Sequence, residues 1–146
     1  MKEKIEILVR AVIRSTGKIL VCNKIGKNYF FLPGGHVEFG ENAGEALARE
    51  LNEELGIKIK KPSLIGGSEY VFIENGKKRH EINLIFNVKI NKITTESKEK
   101  HLQFFLFDRK QFVKENILPT IIRDSVLKWL ENQKFFWADK EQSTKL

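Results

Sequence analysis

A sandwich of the α+β or α/β class, built on a mixed β-sheet, is the fold the sequence predicts, and three observations predict it. Runs rich in β-branched and aromatic residues occur in both halves of the chain, a run of strong helix formers lies between them, and an amphipathic helical pattern closes the C-terminal third. The 146 residues suit one domain, assigned to 1–137, followed by a polar tail at 138–146 that is expected to fray.

Residues 5–13 read as a strand of aliphatic and β-branched side chains, and Thr16-Gly17 turns the chain into a second strand over 18–23. There, Cys22 reads as a small core residue. Residues 29–32 form a short apolar strand stopped by Pro33-Gly34-Gly35, since proline lacks a ladder N–H and glycine brings no side chain to pack. The segment Ala43–Leu55 holds strong helix formers and ends at Gly56, a fitting C-terminal cap. Strands over 64–73 and 81–90 flank Asn75-Gly76, a hairpin signal, with Lys77, Lys78, Arg79 and His80 read as a solvated tip that leaves the register open. A polar loop over 91–100 leads to a last strand, Leu102–Phe107, and Asp108 with Gln111 forms a capping box for a short helix. Pro119 sits in the first turn of the closing helix, whose Ile122, Val126, Trp129 and Leu130 recur at helical spacing as a core-facing stripe.

Composition narrows the function classes. With 41% hydrophobic and 31% charged residues, the chain carries enough apolar surface for a packed core, which argues against wholesale disorder. The net charge of +7 favours anionic partners such as phosphates. A single cysteine excludes an internal disulfide and a cysteine-based zinc cluster. No apolar run reaches the length of a membrane helix, and the N-terminal stretch carries charges where a signal peptide is apolar, so the expectation is a cytoplasmic protein with no membrane partner. The lysines are scattered and an acidic helix would repel a nucleic-acid backbone, so nucleic acid is not expected as a partner; a monomer or homodimer is.

The informative segment is the helix at 43–55. At about 100° per residue, Leu47, Leu51 and Leu55 form the buried stripe, and Glu54 falls within about 20° of Leu47, on the edge of that stripe. Glu50 and Glu53 lie on the same side, so three carboxylates crowd one arc, where like charges one turn apart repel. Arg49 reaches Glu53 one turn on and pairs with Glu45 one turn back, which accounts for one carboxylate. Glu50 and Glu54 remain, and their oxygens suit a hard cation, Mg²⁺ or Mn²⁺. On the helix alone, the alternative is a solvated acidic face.

Reading outward, the segment runs Gly35, five residues, Glu41, seven residues, then Arg49-Glu50-Leu51-Asn52-Glu53-Glu54-Leu55-Gly56-Ile57. This resembles the Nudix box at every fixed position, and Pro33-Gly34-Gly35 precedes it as in that family. The chain is similar to the Nudix hydrolases, of the MutT-like and ADP-ribose pyrophosphatase-like kinds, over nearly its whole length. The resemblance implies an α/β/α sandwich with a mixed central sheet. It also implies hydrolysis of the pyrophosphate bond of a nucleoside diphosphate linked to another group, aided by divalent metal. Carried onto this chain, it gives Glu50, Glu53 and Glu54 as metal-side carboxylates, Arg49 as the residue orienting Glu53, Glu41 as support for the loop or a further metal, and the Gly34 carbonyl as an extra ligand. Gly35 and Gly56 permit the tight loop–helix–loop path.

A general base is still required. Glu50 is the candidate within the box; Glu96 and Glu99 lie in the loop before the last strand, and the offset of Glu99 resembles that of relatives using a loop glutamate. Candidate substrate contacts are Tyr29 and Phe31, for stacking on a base, and His36, for a phosphate. The chain lacks the Ser-Gln-Pro-Trp-Pro-Phe-Pro array of NADH-cleaving relatives. It also lacks the proline that ADP-ribose-cleaving relatives carry beyond the box, where Phe72 and Ile73 stand. A (deoxy)nucleoside triphosphate or ADP-ribose is the expected substrate, with a dinucleoside polyphosphate or an RNA 5′ end as alternative. A non-catalytic nucleotide-binding module is the rival class, and such modules usually lose box glutamates that are intact here.

Overall fold

The structure is a computed structural model that describes residues 3–139 and the backbone of 144–145. Its elements are β1 (Ile5–Ser15), β2 (Lys18–Lys24), β3 (Gly34–His36), α1 (Ala43–Leu55), β4 (Ser63–Glu74), β5 (Lys77–Val88), β6 (Leu102–Phe107), α2 (Arg109–Lys114), α3 (Thr120–Asn132), β7 (Phe136–Asp139) and β8 (Thr144–Lys145). The sheet runs β6-β2-β1-β5-β4-β7, with β3 beside β1 and β8 beside β4. It is mixed as expected: β1 lies parallel to β5 from Ile5↔His80 to Ile13↔Val88, whereas β4 and β5 form an antiparallel hairpin.

Strand alternation divides the core into two layers. Val9, Ala11 and Ile13 on β1, with Phe86 and Val88 on β5, pack beneath Ala46, Leu47, Leu51 and Leu55 of α1. On the other face, Val12 and Ile85 meet Phe112 of α2 and Ile122, Val126 and Trp129 of α3. Each fully buried aliphatic or aromatic side chain contributes about 1.5–3 kcal/mol, so the apolar stripe of α1 fixes its rotation on the sheet and thereby where its acidic edge points. The result is the α/β/α sandwich.

Local signals set the boundaries. Asn42 accepts from the Glu45 amide and Glu45 returns a carboxylate oxygen to the Asn42 amide, a capping box that starts α1; Gly56 ends it at φ 68°. Asp108 and Gln111 exchange the same two bonds at α2. Thr16-Gly17 and Asn75-Gly76 both have two consecutive positive φ values, the geometry of a tight two-residue hairpin turn.

Three expectations are corrected. The Asn75-Gly76 turn sets Glu74 opposite Lys77, so Lys77, Lys78, Arg79 and His80 lie within β5 and are no hairpin tip. Residues 29–32 form only isolated bridges, Cys22↔Phe31 and Phe30↔Ile117. The strand pairing falls instead on Gly34–His36, beside Leu8, Val9 and Arg10. Sequence reasoning treated the glycines as breakers, but β1 approaches so closely at Gly34 that a side chain there is excluded, while at Gly35 the space is taken by Glu50. Of the tail, Ala138 and Asp139 close β7, while 140–143 and 146 lie outside the described residues. No helix among the described residues is long and apolar enough to cross a membrane.

Candidate active site

A cleft of about 420 Å³ opens on the sheet face away from α1. Leu8 and Arg10 of β1, Arg79, Glu81 and Asn83 of β5, and Tyr70 and Phe72 of β4 line it, each at alternate positions along its strand. The same face turns apolar further along, at Val12 and Ile85, where α2 and α3 cover it. Tyr29, Phe31, His36 and His101 form part of the rim.

Glu50 and Glu54 reach this cleft from the helix on the opposite face of the sheet, past the two glycines of β3. A Cβ on Gly35 would stand 2.5 and 2.6 Å from the two carboxylate oxygens of Glu50, so the missing side chain is the space that Glu50 occupies. At Gly34, φ is 146° and a Cβ would overlap the Val9 carbonyl, with Val9 C at 2.8 Å. Both glycines are thus required, one by the sheet and one by the carboxylate.

The two carboxylates differ in surroundings. Glu54 is 7% exposed and its Oε1 has no hydrogen-bond partner, although buried carboxylates are normally paired. Burial first, then the charge of Glu50, pushes its pKa up to about 8; Arg10 and the Gly34 amide oppose the shift and Glu99 adds to it. Burial also raises Glu50, partly offset by Arg49, whose Nη1 donates to Glu50 Oε1 at 3.0 Å. The pair thus sets one buried oxygen without a partner, Glu54 Oε1, beside a carboxylate that Arg49 anchors.

Arg49 organises the entry to the helix. It donates to Glu41 through Nε at 3.1 Å and Nη2 at 2.6 Å, and to the His36 carbonyl at 3.0 Å. The Glu41 bond, ahead of the others, holds the guanidinium firmly protonated. Glu41 in turn accepts from the Glu38 amide at 2.9 Å, which stitches loop to helix. The expected pairing of Arg49 with Glu45 is not formed, because Glu45 is engaged in the helix cap. Glu53 meets Arg49 at only 3.5 Å, is exposed, and does not line the cleft.

The remaining candidates separate. The loop carrying Glu99 is tied to α1 by a bond from the Lys98 amide to the Glu54 carbonyl at 2.7 Å, so the charge of Glu99 is felt at Glu54. Glu96 is exposed. His36 is held by Glu6 at 2.9 Å. Tyr29 and Phe31 are half-buried with ring centroids 6.5 Å apart, while Phe30 between them packs on Phe105 and Phe107. Sequence reasoning missed Arg10, Glu81, Asn83 and Tyr70. The available signal was the polar run Arg79, Glu81, Asn83 on a strand face that continues apolar at Ile85, the mark of a half-covered sheet.

Among the described residues, no three acidic, histidine or cysteine side chains converge on one point. The residues nevertheless fit a hard divalent cation: Glu54 has a buried oxygen without a partner, Glu50 sits in a cradle that any side chain at position 35 would fill, and all the donors are oxygens. Mg²⁺ is commonly held by one or two carboxylates, with water and substrate oxygens completing the shell.

The NUDIX domain family model matches residues 4–130. An ADP-ribose pyrophosphatase of Methanocaldococcus jannaschii is 30% identical over 122 residues, covering 75% of this chain and 71% of that protein. The solved MutT protein of Methanosarcina mazei Go1 superposes with a TM-score of 0.70 at 25% identity, covering 92% of this chain and 99% of the other. A mutator MutT protein from Bacillus halodurans gives 0.73 at 20% identity over 90% and 86% of the two chains.

Proposed function

The chain belongs to the NUDIX family, whose members hydrolyse pyrophosphate bonds in nucleotide substrates with divalent metal, and from that premise we propose that it cleaves a nucleoside diphosphate linked to another group, either a (deoxy)nucleoside triphosphate or ADP-ribose. The observation that carries the reading is the Glu54 carboxylate, buried beside Glu50 with an oxygen left without a partner where the two glycines of β3 open the sheet edge. A cleft of about 420 Å³ lies within the range of small-molecule sites and accommodates a nucleotide.

In this reading Glu50 and Glu54 would hold Mg²⁺ or Mn²⁺, with the Gly34 carbonyl as a further ligand. Bound by these residues, a divalent cation would supply charge neutralisation of phosphate oxygens and a lowered pKa for the attacking water. Arg49 fixes the orientation of Glu50 and, through Glu41 and the His36 carbonyl, the approach of the loop to the helix. Arg10 stands inside the cleft with, among the described residues, one side-chain hydrogen bond, from Nη1 to the Leu32 carbonyl at 3.1 Å, and presents its remaining N–H donors to a phosphate. Glu99, on the loop tethered to α1, takes the proton of the attacking water. Tyr29 and Phe31 at the rim offer stacking faces to the base.

The test is a panel of nucleoside triphosphates, ADP-ribose and dinucleoside polyphosphates with Mg²⁺ and with Mn²⁺, products identified by mass. Cleavage at a pyrophosphate bond that falls by at least about 100-fold in Glu54→Gln, with folding intact, is expected. Binding without turnover by the wild-type protein would identify a nucleotide-binding module instead.

A further inference from the structure

The cleft holds a second acidic group that the metal chemistry does not use. Glu81, on β5, is half-buried in the cleft floor between Tyr70 of β4 and Glu6 of β1 in strand register. Its protein contacts are sparse. Asn83 Nδ2 donates to Oε1 at 3.4 Å, and among the described residues Oε2 has no hydrogen-bond partner and neither oxygen an ion pair. Among the described residues, Arg79 is committed to Glu6 and Glu74, and Arg10 bonds the Leu32 carbonyl and makes no hydrogen bond to Glu81. Burial is the first cause that raises the pKa of Glu81, and the charge of Arg10 is the first to oppose it. Arg10 attracts Glu50 and Glu54 as well, so it stands between two acidic poles.

The poles cannot share a role. An anionic carboxylate repels phosphate unless a cation intervenes, and the cation-holding pair is Glu50 with Glu54. The Glu81 pole therefore faces an uncharged part of the substrate, and its carboxylate offers two acceptors: Oε2, and Oε1, which is held only by the 3.4 Å bond from Asn83, a residue 1% exposed and so fixed in place. Two acceptors side by side match two donors side by side. Resting on the nucleotide-hydrolase reading above, we propose that Glu81, positioned by Asn83, is a specificity-determining residue that accepts a pair of adjacent hydrogen-bond donors from the substrate end remote from the pyrophosphate. Two sources carry that chemistry, the N1–H and amino edge of a guanine-type base and the vicinal hydroxyls of a ribose.

The test compares wild type, Glu81→Gln and Glu81→Asp on two matched pairs: GTP against ITP, which lacks the amino donor, and ATP against 3′-deoxy-ATP, which lacks one hydroxyl. The readouts are the kcat/KM ratio within each pair and calorimetric binding of the corresponding α,β-methylene analogues in Mg²⁺. Wild type is expected to prefer the donor-bearing member of one pair by about 10- to 100-fold, the usual worth of a hydrogen bond to a charged group. In Glu81→Gln that preference should shrink to about threefold or less while the donor-poor member is retained, and Glu81→Asp, which keeps the charge, should retain part of it. The pair that responds identifies the source. Absence of preference in both pairs, or equal losses for both members, overturns the proposal; equal losses would place Glu81 at the reacting centre. Wild type that binds the analogues with a Glu81-dependent preference but cleaves nothing would overturn hydrolysis and leave this inference standing. Wild type that neither cleaves nor binds any of them overturns both.

Discussion

Substituting alanine at each of the two adjacent glycines separates a structural requirement from a functional one. In Gly35→Ala the new Cβ would meet the Glu50 carboxylate oxygens at 2.5 and 2.6 Å, against an ordinary contact of 3.4 Å or more, so the carboxylate must retreat by about 1 Å. The obstacle is the mobile end of a side chain, and the φ of Gly35 lies outside the left-handed region, so the fold absorbs the change at a cost of about 1 kcal/mol or less. Function does not absorb it, because a displacement of about 1 Å at a positioning group costs on the order of 100-fold in rate. In Gly34→Ala the new Cβ overlaps the backbone carbonyl of Val9 at a φ of 146°, where nothing flexible can yield, and β3 must detach from β1. The assays are thermal unfolding, Mg²⁺-dependent nucleotide hydrolysis and Mn²⁺ binding by paramagnetic resonance. Gly35→Ala should unfold within a few degrees of wild type with turnover and Mn²⁺ affinity down by about 100-fold or more, and Gly34→Ala should lose several kcal/mol of stability. Wild-type turnover and Mn²⁺ affinity in Gly35→Ala would refute the view that the glycine exists to make room for Glu50.

The other predictions concern charge. Arg49→Lys keeps the cation but loses the fork that joins Glu41, Glu50 and the His36 carbonyl, so Mg²⁺ affinity should fall by roughly tenfold with little loss of helix content, checked by calorimetry and circular dichroism. Glu54 binds its proton more tightly in the folded state, with a pKa of about 8 against an ordinary 4.5, so the metal-free protein should lose stability, by a few kcal/mol in all, as pH rises through that window. Glu54→Gln should flatten the pH profile of chemical denaturation, and saturating Mg²⁺, which favours the ionised carboxylate, should restore most of the lost stability to wild type at pH 8. Glu99→Gln should lower kcat by roughly 100-fold with KM within about threefold; equal activity would move the proton-accepting role to Glu50.

Much of the fold was legible because its signals are local. The limits of α1, its cap at Asn42 and its stop at Gly56 follow from propensity and capping, which act within one turn of chain. The three-leucine stripe fixed the rotation of α1, and that alone put Glu54 at the edge of the buried face and left Glu53 exposed. What could not be read from the chain depends on neighbours distant in sequence. Whether Arg49 takes Glu45 or Glu41 turns on the loop folding back across the helix entry, and Glu45 is removed from the choice by its cap.

The order of residues by itself determined the helix, the capped turns, the alternation of the long strands and the box of carboxylates, because each depends on contacts within a few positions. Only the tertiary structure decided that Gly34 and Gly35 form a strand, that carboxylates from behind the sheet emerge through it, and that Arg10 and Glu81, 71 positions apart, face one cleft. The physical reason is the parallel pairing of β1 with β5. That pairing sets Glu6 beside Glu81 and Leu8 beside Asn83, and no local preference encodes which strand a strand will choose.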